Sequence, residues 1–180
     1  MTAKGHILLA SALTMGGAVY LKNHYPIYLP SSLSSIIAIL GGIYLGALLP
    51  DIEEPESYIG NKFKLFSIVF ASFIKHRTLT HYLITPTLII TLAFYVLTPY
   101  SFSQLFFYAL AIGIVMHDIG DLISNGGIRG FFFPFFPNTR IALLPSFLRL
   151  ETFGFIEHLF IRVVLIPLNV YFIFQLGIFR

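Results

Sequence analysis

The chain has no cysteine and no tryptophan, and only 11% of its 180 residues are charged. The missing cysteines exclude a disulfide framework and any thiolate metal site. The shortage of charge, against roughly a quarter in ordinary soluble domains, excludes a well-solvated globular surface. No basic residues run together either. The net charge of +3 is scattered among short loops, which argues against a nucleic-acid partner.

What is present is apolar. Hydrophobic residues make up 57% of the chain and the mean hydropathy is +0.84. A length of 180 residues accommodates one domain, residues 1–180, of about five spans at ~20 residues each with loops. The expected fold is all-α, a polytopic membrane helical bundle. Gaps in the charge place apolar stretches at 7–21, 33–49, 82–98, 102–116 and about 159–179. No small-x-small cleavage site closes the first stretch, so it reads as a membrane helix and not as a signal peptide. In the second, Gly41, Gly42 and Gly46 offer small residues where a neighbouring helix can approach closely.

Basic residues are distributed unevenly about these stretches. If every stretch crosses, one face collects Lys4, Lys62, Lys64, Lys75, Arg77, Arg129, Arg140, Arg149 and Arg162, and the other only Lys22 and Arg180. This bias predicts a membrane protein whose N-terminus and richer face lie in the cytoplasm. All eight acidic residues fall on that face. Residues 62–75, apolar between basic ends, are too short to span and predict an interfacial helix. Residues 126–149, rich in Phe and Pro, oppose a regular helix and read as an aromatic anchor at the lipid interface or a lip through which lipid chains enter.

The same face gathers the chemistry: His6, Asp51, His76, His81, His117 and Asp121 all lie at the ends of apolar stretches. Ionisable groups at a membrane edge are functional candidates. Without thiolates, imidazole and carboxylate suit zinc, manganese or iron. His117 and Asp121 are four apart and share a helix face, so both can grip one cation or simply pair with each other. His76 and His81 are five apart and need a break at 78–80, with Thr80 as cap of the following helix, to turn toward one place. Arg77 between them is a forked donor suited to phosphate, or a plain membrane anchor. After Pro50, Asp51 and Glu53 alternate in an acidic turn where one could bind metal and the other orient a histidine. His24 and His158 carry no expected ligand role.

Taken in order, Gly5-His6, LPDIEEPES at 49–57, HRTLTH at 76–81, the His117/Asp121 pair and G-x-x-E at 154–157 resemble the YdjM family of predicted inner-membrane, metal-dependent hydrolases, described as LexA-regulated in some bacteria. The usual acidic motif of that family reads PDID, so Glu53 is a conservative departure. More distantly, the pattern is similar to the all-helical, zinc-dependent phospholipase C and nuclease superfamily. That likeness implies one metal held by Asp51, one of His76 and His81, His117 and Asp121. His6 would share Asp121 around a second. The superfamily's third metal uses the N-terminal amine, a set for which only Glu157 offers a partial substitute here. The expectation is therefore a hydrolase holding one or two divalent ions, zinc first and manganese or iron as alternatives. Asp51 or Glu53 would be general base, Arg77 would stabilise phosphate charge, and the substrate would be a phospholipid or lipid-linked phosphate. A metal-ion transporter and a structural or regulatory membrane protein are the competing readings; oligomeric state is open.

Overall fold

The computed structural model describes residues 1–25, 30, 32–73 and 79–177, and these are mostly helical. In chain order the helices are α1 (Ala3–His24), α2 (Leu33–Gly46), α3 (Tyr58–Lys62), α4 (Lys64–Phe73), α5 (Ile84–Val96), α6 (Phe102–Leu122), α7 (Phe155–Phe160) and α8 (Ile166–Leu176). A π turn at Ile161–Leu165 joins α7 to α8, so that 155–176 is one continuous rod. A 3-10 turn, Leu49–Glu53, follows α2, and a two-residue hairpin pairs β1 (Ile128–Arg129) with β2 (Arg140–Ile141). The Phe- and Pro-rich segment thus forms turns around a short hairpin, as its composition predicts.

Hydroxyl side chains start most of the long helices. Thr2, Ser32 and Ser101 each accept the N–H of the residue three further on, from Gly5, Ser35 and Gln104, satisfying an otherwise orphaned donor. Gly177 ends α8 in the left-handed region, φ 74°, where a side chain would be strained. Of the predicted 62–75 helix, α4 covers Lys64–Phe73, Lys62 ends the separate helix α3 with a break at Phe63, and 74–75 lie outside the described residues. Thr80 does not cap α5: the capping position is Leu83, which makes no side-chain bond.

The closest helix pair is α2 with α6, and glycine is the reason. A Cβ on Gly42 would meet the carbonyl of Phe106, one on Gly46 that of Leu110, and one on Gly113 that of Ile43. Gly41 faces only the ring edge of Phe106 at 3.8 Å, so two of the three glycines singled out in the sequence set the approach. Ala10, Ile43, Ala47 and Ala109 fill the seam between α1, α2 and α6, and a second core joins Met1, Leu9, Leu150, Ile161 and Leu165. Polar side chains within the apolar helices serve packing. Asn169 donates to the carbonyls of Leu8 and Leu165 at 2.9 and 2.7 Å. Gln104 accepts from the N–H of Tyr100 and donates to the carbonyl of Ala93.

Among the described residues two helices, 102–122 and 155–176, are long and apolar enough to cross a membrane; α2, α4 and α5 are shorter apolar helices. Much of the outer surface is apolar and bare, including Leu33 (74% exposed), Tyr95 (79%) and Phe174 (66%). Apolar exposure on this scale marks a surface covered by something other than water.

Candidate metal centre

The end of the α2–α6 seam is where the ionisable residues meet. Because Gly46 and Ala47 let α6 approach, the Nδ1–H of His117 reaches the carbonyl of Ala47 at 2.8 Å. A carbonyl only accepts, so Nδ1 carries the proton and Nε2 presents its lone pair. That Nε2 has no hydrogen-bond partner. It lies 3.7 Å from Asp51 Oδ1 and 3.9 Å from Asp121 Oδ2. His81, fully buried, brings its Nε2 to 3.5 Å from the same Asp121 Oδ2.

His6 comes from the first turn of α1 and stacks on His117 with ring centroids 3.7 Å apart and planes 11° off parallel. Its Nε2 is 3.4 Å from Asp121 Oδ1, which also receives the N-terminal ammonium of Met1 at 3.2 Å. Gly120 makes room for the ring, since a Cβ there would meet His6 Nδ1 at 2.8 Å. Behind His81, Thr80 donates its hydroxyl to Glu53 Oε2 at 2.8 Å, and His81 Nδ1 lies 3.1 Å from Thr80 Oγ1 and 3.6 Å from Glu53 Oε1. Glu53 is therefore an orienting partner of His81 placed away from the centre. The acidic turn divides its labour as its alternate spacing suggests, Asp51 inward and Glu53 outward.

The structure thus brings His6, Asp51, His81, His117 and Asp121 together. His76 and Arg77 lie outside the described residues. His24 and His158 are exposed and bond to the carbonyls of Tyr20 and Gly154.

Among the described residues two overlapping sets of donors are able to hold a metal ion: His6, Asp51 and His117, and His81, His117 and Asp121, with the donor atoms of each set within 4.8 Å of one another. Zinc–ligand bonds of about 2.0–2.1 Å imply about 3.3 Å between donors of a tetrahedron. The spacings from Asp121 Oδ2 to His81 and His117, 3.5 and 3.9 Å, and from His117 to Asp51, 3.7 Å, exceed that by about 0.2–0.6 Å. His117 Nε2 has one lone pair and serves one cation. A second cation must rely on His6 and a carboxylate oxygen, for which Asp121 Oδ1 is already adjacent. A buried ring nitrogen without a hydrogen bond, as Nε2 of His117, is costly unless something binds it.

Asp51 opens the centre to the outside. Its side chain is 20% accessible, against 2% or less for the other four. Burial pushes its carboxyl up, but the imidazoles of His117, His6 and His81 outweigh this and hold it below the usual value of 3.8. A cavity of about 540 Å³ ends on Asp51 and Asp121, with Thr2, Lys4, Ser57 and Tyr58 on its walls. Sequence reasoning missed three residues that shape the site: Thr2, Gly120 and Ala47. Only the last could be suspected, from its place after the glycines of α2.

The fold and this cluster define a helical membrane protein with a buried His/Asp centre able to take a divalent cation. The chain belongs to the YdjM family: the family model described as YdjM inner membrane protein matches residues 1–178. It is similar to the uncharacterized protein YvsG of Bacillus subtilis, 31% identical over 154 residues, 86% of this chain and 84% of that protein. It is also similar to inner membrane protein YdjM of Escherichia coli, 28% identical over 135 residues that cover 71% of this chain but 63% of that one. The Shigella flexneri protein of the same name matches equally. No solved structure matches the chain. The family resemblance carried by the motifs is thereby established.

Proposed function

We propose that this protein is a metal-dependent phosphoesterase of the inner membrane that hydrolyses a phospholipid or lipid-linked phosphate at the cytoplasmic face. The observation that carries the reading is the convergence of two overlapping donor sets, His6/Asp51/His117 and His81/His117/Asp121, at an open cavity that ends on Asp51 and Asp121. A divalent cation, zinc first by its donor set, supplies polarisation of the phosphoryl oxygen and activation of water. The chain's own groups do the rest. Asp51, partly open to the cavity and held as a carboxylate, accepts the proton of the attacking water. Lys4 at the wall faces the phosphate. Arg77 is assigned to phosphate charge from its sequence position alone. Glu53, behind His81, orients that ring and is replaced by Asp51 as the base.

The bilayer setting rests on the bare apolar surface and on the two long helices. In this reading all five apolar stretches cross. The 22-residue α1 is long enough, while α2 and α5 rely on flanking turns and local thinning. The basic bias places the centre, α3 and α4 on the cytoplasmic side, so that the cavity opens at headgroup level. A transporter would need polar groups available along the spans, whereas Asn169 and Gln104 are engaged in helix packing.

The test pairs metal analysis with catalysis. Purified protein should contain one or two equivalents of metal, and a His117→Ala/Asp121→Ala variant none. Phosphoester hydrolysis should require both added metal and His117. Metal binding without hydrolysis across a panel of lipid and soluble phosphoesters would overturn the enzymatic reading and favour a structural or regulatory centre.

A further inference from the structure

Glu157 is a fully buried carboxylate that the proposed chemistry does not use, and its partners are unusual. It sits three residues past Gly154, the capping residue of α7, where a negative charge suits the helix end. Oε2 accepts from the N–H of Phe153 at 2.7 Å. Oε1 reaches across 155 residues of sequence to accept both the N–H and the hydroxyl of Thr2, at 2.6 and 2.9 Å. Thr2 is the cap of α1, and its oxygen in turn accepts from Gly5 N–H at 3.2 Å. The residue after Gly5 is His6.

Besides the approach of its Nε2 to Asp121 Oδ1 at 3.4 Å, the His6 ring is placed by its stack on His117 and by where α1 begins. Two glycines show how tight that placement is. A Cβ on Gly5 would meet Met1 Cγ at 2.7 Å and Glu157 Oε1 at 3.0 Å, and one on Gly120 would strike the His6 ring. The 3.4 Å approach of His6 Nε2 to Asp121 Oδ1 therefore depends on a start of α1 that Glu157 holds.

We infer that Glu157 is a positioning residue for His6, and through it for a second cation bridged by Asp121, while the cation at His81, His117 and Asp121 is independent of it. This rests on the metal-centre reading above. Outer partners of metal ligands are commonly worth about 10–100-fold in affinity.

The experiment titrates metal-stripped, detergent-purified protein with zinc. The parent is expected to bind two equivalents. His6→Ala and Glu157→Ala should each weaken only the second, by about 10–100-fold, and the double variant should lose no more than His6→Ala alone, because both act through one ring. A merely structural role would weaken both equivalents, and the two losses would multiply. Either that pattern or an unchanged Glu157→Ala overturns the inference while leaving the metal centre standing. A parent that binds a single equivalent does the same. A parent that binds none overturns both. If Glu157→Ala does not fold, Glu157→Gln is read instead: a weakened second equivalent supports the assignment and parental affinity for both overturns it.

Discussion

The Nδ1–H of His117 donates to the backbone carbonyl of Ala47 at 2.8 Å, so the same contact that brings α6 against α2 also turns Nε2 of His117 toward Asp51 and Asp121. Helix packing and ligand orientation are one event here. Gly46→Val should uncouple them. The added carbons meet the Leu110 carbonyl and the Gly113 backbone, an overpacking that costs about 1–3 kcal/mol. Bound metal should fall with the melting temperature, and unchanged metal content in a destabilised variant would show that the seam does not aim His117.

Glu53→Ala removes the acceptor of Thr80 and the carboxylate beside His81 Nδ1. Zinc affinity should drop about 10–100-fold with the first equivalent affected, in contrast to the Glu157 variants. Isothermal titration distinguishes the two.

Acid should act in two ways. The ligand imidazoles must be neutral to bind a cation, so protons compete with the metal and acid releases it. Asp51 acts separately. Its folded value lies below its ordinary 3.8, so its contribution to stability is complete above about pH 4 and is lost as pH falls through the folded value. Melting temperatures of the metal-free protein from pH 6 to 3 should show a decline at the acid end that Asp51→Asn makes shallower. An equally steep decline in the variant would assign it to other groups.

Asp118 is 1% exposed, neither carboxylate oxygen has a hydrogen-bond partner, and it belongs to neither donor set. Asp118→Asn is expected to leave bound metal unchanged. Loss of metal in this variant would move Asp118 into the centre.

The site was legible because charged residues are scarce in this chain and gather at the ends of apolar runs. That logic grouped His6, Asp51, His76, His81, His117 and Asp121, of which all but His76, outside the described residues, meet in the structure, and the glycines of α2 announced a close seam. It did not reach Gly113, Gly120 or Thr2, whose importance lies in what a Cβ would strike or what a hydroxyl meets. The expected cap at Thr80 failed for a related reason, since its hydroxyl had a buried carboxylate, Glu53, to serve instead.

The sequence alone determined that this is a membrane-class helical chain and which residue types could meet a cation, because hydropathy and local spacing act over a few turns of helix. Only the tertiary structure decided that Asp51 faces the cavity while Glu53 lies behind His81, and that Glu157 holds Thr2. Those choices depend on contacts between residues far apart in the chain, where a shift of one ångström in a helix seam changes which atom a ligand meets.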